Sequence, residues 1–247
     1  MLMRVWLLLL SLLFSQGVLA QADYAREQRW ADEITPTILV GDPVQLALPS
    51  GRKFLGIYAP SPKAQAGVIV IHGQGVHPDW GLINPLRSQL SEQGYTTLSV
   101  QMPVLAADEA ASAYPALFPE AAERIAAAVQ YLRNNGLRKI VVVSHSLGAR
   151  MTNGFLNTPG RLSIDAWVSI GITSEYKRPE TFDMPVLDLY GEKDFPGVLK
   201  LAPNRASSIM GIRGSAQIQV AGADHYFNGS TTELVRAVKL FLDRATR

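Results

Sequence analysis

A short apolar strand that turns directly into a helix constrains this chain more than any other feature. The β-branched run at residues 140–143 ends in Ser-His-Ser-Leu-Gly at 144–148, and a helical pattern follows at once. This layout is typical of a nucleophile elbow, the sharp strand-to-helix turn that exposes a serine above the end of a buried strand. We therefore predict that Ser146 is a catalytic nucleophile held at positive φ, a strained conformation for any residue except glycine.

The elbow departs from the usual sequence at one position. The pattern G-x-S-x-G places small residues two positions before and two positions after the serine, so that the helix can pack close to the strand. Gly148 supplies the second small residue, but Ser144 stands where the first glycine is usual. Because serine is only slightly larger than glycine, we expect the turn to form. The alternative is that Ser146 is an ordinary loop serine.

Apolar strands and amphipathic helices alternate along most of the chain. Residues 67–71 (Gly-Val-Ile-Val-Ile) form a continuously apolar run, which is typical of a strand buried on both faces of a parallel sheet. This succession predicts a single α/β domain, with a mostly parallel sheet and helices on both faces. In such sheets the functional residues lie in loops at the carboxyl ends of the strands. We predict strands near residues 44–48, 52–58, 67–71, 95–100, 139–143, 165–170, 186–190 and 216–220, and helices near 85–93, 119–135, directly after 146, 198–210 and 231–244.

The first 22 residues have the pattern of an export signal. Arg4 is the positive charge, residues 5–14 are nearly all apolar, and small residues fit cleavage after Ala20 or after Ala22. The apolar run is shorter than the roughly 20 residues of a membrane span, which favours a cleaved signal over an uncleaved anchor. We expect a mature domain of residues 23–247, without a membrane span, in the periplasm or outside the cell.

The composition disfavours several classes of function. The chain has 23 Lys and Arg, 21 Asp and Glu, and no cysteine. A nearly neutral chain without a Lys/Arg cluster is not typical of nucleic-acid binding. Without cysteine there is no disulfide, thiolate metal site or cysteine nucleophile. No His/Asp cluster has metal-ligand spacing, and the Gly-x-Gly segment at 73–75 lacks the lysine of a phosphate loop, so we expect no metal.

A serine nucleophile needs a base, and His225 is the best candidate among four histidines. It follows the last predicted strand and therefore lies on the same edge of the sheet as Ser146. His145 is adjacent to the nucleophile in sequence, but successive residues in such a turn point apart, so we expect it to be structural. His72 belongs to a separate glycine motif, and His77 lies in a loop where it could contact substrate.

The third catalytic residue should be a carboxylate that fixes the tautomer of the histidine and stabilises the imidazolium. Asp194 is the candidate, since it lies just beyond the end of a predicted strand. Asp188 lies inside that strand and should face a helix layer or the core. Glu192 and Asp224 are also near the edge of the sheet, where solvated surface acids are common.

An oxyanion hole requires two backbone N–H groups. One is expected from Leu147, directly after the nucleophile. The second is expected from Gln74, because residues 72–75 read His-Gly-Gln-Gly after an early strand and glycines let the backbone approach a ligand closely. The alternative interpretation of this segment is a simple tight turn.

Together these segments resemble the α/β-hydrolase superfamily over roughly residues 40–245. The residues that carry the resemblance are 72–75, 144–148, 191–194 and His225, and the order serine, acid, histidine is the order of that superfamily. The chain is most similar to a branch of small exported bacterial members of unsettled activity. The resemblance implies a sheet of about eight strands, acyl-enzyme chemistry and no cofactor. It does not imply a substrate.

The loops around the site suggest how a substrate could reach it. Residues 173–184 are too short and polar to form the large cap of many superfamily members, so we expect an open site without a cap domain. His77, Met102 and Phe195 are the predicted substrate-lining residues. Met102 and Phe195 could hold an acyl chain, or they could serve only for packing.

Two hypotheses of different classes follow. The first is a serine hydrolase that acts on a small-molecule or lipid-like carboxylic ester, with Ser146, His225 and Asp194 as a triad; thioesters, amides and acyl transfer stay open. The second is a non-catalytic binding or envelope-assembly protein on a hydrolase scaffold, because a fold does not fix a function. The sequence predicts no oligomeric state.

Overall fold

The computed structural model describes residues 21–64 and 66–247, so nearly all of the predicted export signal lies outside the described residues. One eight-stranded sheet runs through the protein in the order β1-β2-β4-β3-β5-β6-β7-β8. The strands are β1 (Asp42–Ala47), β2 (Lys53–Ala59), β3 (Gly67–Ile71), β4 (Thr96–Val100), β5 (Ile140–His145), β6 (Ala166–Ile170), β7 (Val186–Lys193) and β8 (Ala216–Asp224).

The sheet is mostly parallel, as the sequence predicts. Strands β3 to β8 pair in parallel, while β2 pairs antiparallel with both β1 and β4. The central strands β3, β4, β5 and β6 are buried along their whole length. Continuously apolar sequences suit such positions, because helices cover both faces of the strand. The carboxyl ends of the parallel strands therefore meet along a single edge.

Helices cover both faces of the sheet, which confirms the predicted α/β class. Buried residues of α3 and α4 pack on one face, and those of α2 and α6 pack on the other. The longest helix among the described residues, α3, presents alanine, isoleucine, valine and leucine to the sheet at helical spacing. The helices are α1 (Tyr24–Ile34), α2 (Ile83–Glu92), α3 (Phe118–Asn134), α4 (Leu147–Leu156), α5 (Pro196–Ile209) and α6 (Thr231–Ala245).

The polar segment before β1 forms helix α1. The Asp23 side chain accepts a hydrogen bond from the N–H of Arg26 and so caps this helix. Glu27 is buried and forms an ion pair with Arg124 of α3 at 2.8 Å. The N–H of Val104 also donates to Glu27, and Asp23 N–H donates to the Val104 carbonyl, so α1 is fixed against the loop that follows β4 as well as against α3.

The last two strands extend further than their apolar runs predict. Strand β7 continues to Lys193 and β8 to Asp224, with a register irregularity between Gly191 and Lys193. A bulge lets two strands continue to pair while one of them bends. As a result, Asp194 and His225 leave neighbouring strand ends side by side.

The crossover between β6 and β7 contains no cap domain. Its only helical element among the described residues is the short 3-10 helix Pro179–Thr181. Within the described ranges, no helix combines the length and the apolar character needed to cross a bilayer.

Candidate active site

The strand-to-helix turn at Ser146 has the geometry of a nucleophile elbow. Ser146 adopts φ 55° and ψ −118°, the positive φ that the sequence predicts. Its N–H donates to the carbonyl of Ile170 at 2.8 Å, and its own carbonyl accepts from the first turn of α4. Holding a serine in this region costs on the order of 1–3 kcal/mol, so the surrounding bonds must impose it.

Gly148 allows helix α4 to start this close to the sheet. A Cβ atom at this position would lie 2.3 Å from the carbonyl oxygen of His72 and 2.7 Å from Ile71 Cγ2. Both are far inside ordinary contact distances, and the first is a backbone atom. A side chain here would push α4 away from the end of β3 and move the elbow.

Ser144, which replaces the usual first glycine, fits without distorting the turn. Its side chain is fully buried in the sheet layer, where Oγ accepts a hydrogen bond from Trp167 Nε1 at 2.8 Å. The hydroxyl also lies 3.5 Å from the carbonyl oxygen of Val168. The extra atoms of serine are therefore used to satisfy the buried indole N–H of a neighbouring strand.

The structure brings Ser146, His225 and Asp194 into one hydrogen-bonded chain. Ser146 Oγ lies 3.0 Å from His225 Nε2, and His225 Nδ1 lies 2.5 Å from Asp194 Oδ1. Both His225 and Asp194 are buried. If Nδ1 carries the proton and donates to the carboxylate, Nε2 is left free to accept from the serine, which is the arrangement a general base requires.

Backbone amides hold the Asp194 carboxylate in place. Oδ1 accepts from the N–H of Phe195 at 2.7 Å, and Oδ2 accepts from the N–H of Gly191 at 3.3 Å. The alternative acids have other partners. Asp188 is buried against Arg205, and Asp224 accepts from backbone N–H groups of its own turn.

Two residues confine the His225 ring. Phe195 stacks on it with ring centroids 3.9 Å apart and an interplanar angle of 20°. Gly171 lies on another side, where an added Cβ would be 3.1 Å from ring atoms of His225 and 3.3 Å from Asp194 Oδ2. The imidazole is therefore held in one orientation by contact as well as by hydrogen bonds.

His145 lies beneath the site as a neutral structural residue. It is buried, and its Nε2 lies 3.0 Å from the carbonyl oxygen of His225, to which it donates. Burial lowers the pKa of His145 to about 3, with a further lowering by the nearby His225. An uncharged His145 supports the backbone of His225 without placing a second positive charge beside it.

The loop after β3 places Gln74 at the cavity beside the nucleophile. Both Gln74 and Leu147 line the cavity that contains Ser146. Among the described residues, neither backbone N–H donates to another atom of the protein. These are the two groups predicted as oxyanion donors, and both N–H groups are free to bind a ligand.

Two side chains brace this loop from behind. His72 Nδ1 lies 2.8 Å from the carbonyl oxygen of Gly73, and Nε2 accepts from the N–H of Met102 at 2.9 Å. Burial lowers the pKa of His72 to about 3, so the ring is neutral and this pattern of donor and acceptor is kept. On the other side, Arg26 of α1 donates to the carbonyl of Gly75 at 3.3 Å and to that of Leu105 at 2.9 Å.

The cavity at Ser146 has a volume of about 360 Å³, within the range of small-ligand sites. Its walls combine the elbow and the loop after β3 with aromatic side chains and one arginine. The lining residues are Gly73, Gln74, Val76, Trp80, His145, Ser146, Leu147, Arg150, Thr173, Phe195, His225 and Tyr226.

Two of the three predicted substrate-lining residues do not line this cavity. Met102 is 1% exposed and packs in the core, so the prediction that it contacts substrate is wrong; its backbone N–H supports His72 instead. His77 is half-buried and is not among the lining residues, and its ring lies 5.9 Å from that of Trp30. Phe195 is 44% exposed and does line the cavity.

Comparison with solved structures identifies the fold. The chain is similar to the dienelactone hydrolase of Anabaena variabilis (TM-score 0.66, 17% identity), with 82% of this chain and 96% of that chain covered. It is also similar to Est1E of Butyrivibrio proteoclasticus (TM-score 0.65, 15% identity, 82% and 98% covered) and to the Pyrococcus furiosus esterase Pf2001 (TM-score 0.66, 14% identity, 83% and 93% covered). This chain has the α/β-hydrolase fold.

Comparison with known sequences does not assign an activity to the chain. Residues 37–123 match a family described as "Protein of unknown function (DUF3530)", which is less than half of the chain. No curated protein sequence matches the chain. The α/β-hydrolase scaffold is therefore established by structure, while the family match leaves the activity unassigned.

On this α/β-hydrolase scaffold, the cavity also contains residues that the sequence analysis missed. Arg150, Thr173 and Tyr226 all line it. Tyr226 directly follows His225, and Arg150 lies one helical turn after Ser146, so helical periodicity could have indicated the arginine. Across the described ranges, no three His, Cys, Asp or Glu side chains are close enough together to hold a metal ion.

Proposed function

We propose that this protein is a serine hydrolase that cleaves carboxylic esters through an acyl-enzyme. The observation that carries the proposal is the continuous chain from Ser146 Oγ to His225 Nε2 at 3.0 Å and from His225 Nδ1 to Asp194 Oδ1 at 2.5 Å, at the wall of a small cavity. A nucleophile, a base and an orienting acid within hydrogen-bond reach are the parts that acyl transfer needs.

In the proposed reaction, Ser146 Oγ attacks the ester carbonyl while His225 Nε2 takes the hydroxyl proton. The carbonyl oxygen becomes an oxyanion, and the N–H groups of Gln74 and Leu147 donate to it. Asp194 stabilises the imidazolium without taking its proton. The tetrahedral intermediate then collapses, the bond to the leaving alcohol breaks, and His225 returns the proton to that alcohol.

Water completes the cycle. His225 takes a proton from a water molecule as the water oxygen attacks the acyl carbonyl. The second tetrahedral intermediate then collapses, the bond between the acyl carbon and Ser146 Oγ breaks, and His225 returns the proton to Ser146 Oγ as the carboxylic acid leaves. An oxyanion-hole donor is worth about 3–4 kcal/mol in the transition state, so the N–H groups of Gln74 and Leu147 would supply a substantial part of the catalysis.

A serine-directed phosphonate probe and a panel of short-chain nitrophenyl esters test this proposal. We expect wild-type protein to be labelled and to turn over the esters, and Ser146→Ala to lose both properties. Ser207→Ala, on the exposed surface of α5, is the matched control and should keep both. A folded wild-type protein that is neither labelled nor active at any acyl length would instead favour a non-catalytic binding role.

We also propose that the chain is exported and that its signal is cleaved after Ala20. Ala22 is 6% exposed and packs in the core, and its carbonyl accepts from the N–H of Tyr24. The N–H of Asp23 donates to Val104 at 2.7 Å. Cleavage after Ala22 would remove a packed residue, whereas Gln21 is exposed and can bear a free amino group.

The N-terminus of the mature protein tests the cleavage site. When the full sequence is expressed in a bacterium, we expect protein in the periplasm or medium that begins at Gln21. A mature chain that begins at Asp23 would contradict the proposed site. Cytoplasmic protein that keeps its first residues would contradict export.

A further inference from the structure

Arg150 places a positive charge in the wall of the cavity that contains Ser146. It lies on α4, where its backbone N–H donates to the carbonyl of Ser146 at 3.2 Å, and its side chain is half-buried. The guanidinium carbon is 5.7 Å from the centre of the Phe118 ring. Among the described residues, its side chain makes no hydrogen bond and has no carboxylate oxygen within 4.0 Å.

The buried arginines of this protein behave differently. Each one has a carboxylate partner: Arg87 pairs with Asp79, Arg124 with Glu27 and Glu120, and Arg205 with Asp188. This is the expected arrangement, since removing a charge from water is costly unless an opposite charge replaces the lost solvation. Three other arginines are half-buried like Arg150, and each donates to at least one backbone carbonyl: Arg26, Arg133 and Arg161. Among the half-buried arginines of the described residues, Arg150 is the one whose side chain has no hydrogen-bond partner, and it lines the cavity of the candidate active site.

The remaining cavity wall contains nothing that would neutralise this charge. No Asp or Glu is among the lining residues, and the Asp194 carboxylate lies behind His225. Three aromatic side chains form another part of the wall. Tyr226 has its ring centroid 5.6 Å from that of Trp80 and 6.0 Å from that of Phe195, and all three rings are partly exposed. A ligand would therefore meet one cation beside aromatic side chains.

We infer that the site selects esters that carry a second, anionic group, a carboxylate, which Arg150 binds. This inference rests on the proposed ester hydrolysis and names its substrate class. Arg150 follows Ser146 by four residues, an advance of about 6 Å along the helix, so we take the half-ester of a short dicarboxylic acid as the probe. A guanidinium binds a carboxylate with two parallel hydrogen bonds, which gives specificity as well as affinity.

A matched pair of substrates tests the inference. Nitrophenyl hemiglutarate carries a carboxylate at the end of its acyl chain, and the corresponding ester with an isopropyl group in its place has nearly the same shape without the charge. We expect wild-type protein to favour the charged ester by roughly tenfold to hundredfold in kcat/KM, the range of a charge-assisted hydrogen bond. Arg150→Met should remove most of this preference, mainly by lowering kcat/KM for the charged ester.

Arg138→Met is the control, because Arg138 is exposed at the opposite end of β5 and its loss changes the net charge equally. It should keep the wild-type preference. A second pair, phenyl butanoate with and without a carboxylate on the ring, shows whether Arg150 serves the acyl side or the alcohol side. Wild-type protein without a preference in either pair, or an Arg150→Met variant with its preference intact, would overturn the inference.

A binding measurement tests the anion site independently of the proposed hydrolysis. The Ser146→Ala variant should not hydrolyse the ester. Methyl hemiglutarate should raise the melting temperature of this variant, and adding Arg150→Met should abolish the shift. Failure of the probe and of all ester turnover would refute the proposed hydrolase but not the anion site. Turnover of neutral esters without carboxylate binding in the Ser146→Ala protein would refute the anion site alone.

Discussion

The indole N–H of Trp167 donates to Ser144 Oγ at 2.8 Å, so the side chain that replaces the usual elbow glycine is the hydrogen-bond acceptor of a fully buried tryptophan. Strands β5 and β6 are joined at this point by a side-chain bond in addition to their backbone bonds. Serine in place of glycine at position 144 therefore contributes to the packing of β5 against β6. Ser146, two residues later, keeps its positive φ.

Ser144→Ala should destabilise the protein and leave the active site in place. The Trp167 N–H would lose its partner inside the core, which costs about 1–3 kcal/mol of unfolding free energy. Turnover should change little, because Ser144 does not line the cavity. Urea unfolding with an ester assay measures both effects. In a Trp167→Phe background the same Ser144→Ala change should cost less, and an equal cost in both backgrounds would show that this hydrogen bond is not the cause.

Acid should destabilise the protein between pH 6.5 and about 3 through its buried histidines. The folded-state pKa values of His72 and His145 are lowered to about 3, while an unfolded histidine titrates near 6.5. In this window the unfolded chain binds protons that the folded chain excludes. The free energy of unfolding therefore falls as the pH falls, by up to about 1.4 kcal/mol per pH unit for each histidine.

His145→Gln isolates one of these contributions, since glutamine can still donate to the His225 carbonyl but does not titrate. Urea unfolding at several pH values gives the slope of unfolding free energy against pH. For His145→Gln this slope should be smaller than for wild type by nearly the contribution of one histidine, about 1.4 kcal/mol per pH unit. His77→Gln serves as the comparison, because His77 is only half-buried and should change the slope less. Identical slopes for His145→Gln and wild type would contradict the assigned neutral state.

Gly171→Ala should impair catalysis by moving His225. The added Cβ would lie 3.1 Å from Cε1 and Nδ1 of His225, and Gly171 has φ 56°. A small displacement of a catalytic group can lower the rate by up to about a hundredfold. We expect a fall in kcat with little change in KM. Gly136→Ala has the same kind of positive φ, 85°, with nothing within 4 Å, and should lose stability but not activity. Equal kcat in both variants would exclude the contact as the cause.

The sheet and the proximity of Ser146, Asp194 and His225 could be predicted from the sequence because both depend on local signals. Continuous β-branched runs identify central strands such as β3 and β5, and the parallel sheet then brings their carboxyl ends together. Asp194 and His225 each follow a strand closely in sequence. Their common position on one edge is a consequence of topology, which the alternation of strands and helices already determines.

The position of Met102 could not be predicted from local sequence patterns. An apolar residue directly after a strand can face either the cavity or the core, and in this structure it is buried beside His72. The role of α1 was not predictable for a different reason. Glu27 and Arg124 are distant in sequence, and nothing local indicates that they form a buried ion pair. Long-range polar contacts of this kind are specified by the assembled fold.

Arg26 should act as a positioning residue for the oxyanion loop. Its guanidinium donates to the carbonyls of Gly75 and Leu105, and it lies 4.6 Å from the centre of the Trp30 ring. Arg26→Gln should lower kcat, by up to about tenfold for a small displacement of the loop, and leave KM nearly unchanged. Arg26→Lys should recover part of the loss. Arg29→Gln, on the exposed side of the same helix, is the control, and an equal effect of both glutamine variants would argue against loop bracing.

Because α1 supports the loop that carries Gln74, the segment ahead of this helix has a different value to a protein engineer from that of the other terminus. A tag or a surface-display anchor joined ahead of the exposed Gln21 leaves the helix and its bond to Gly75 undisturbed. Trimming the chain back to β1 would keep every strand of the sheet and still discard the support of the candidate oxyanion loop. Under the proposed mechanism, the residues that form the sheet and the residues that activity requires therefore have different boundaries.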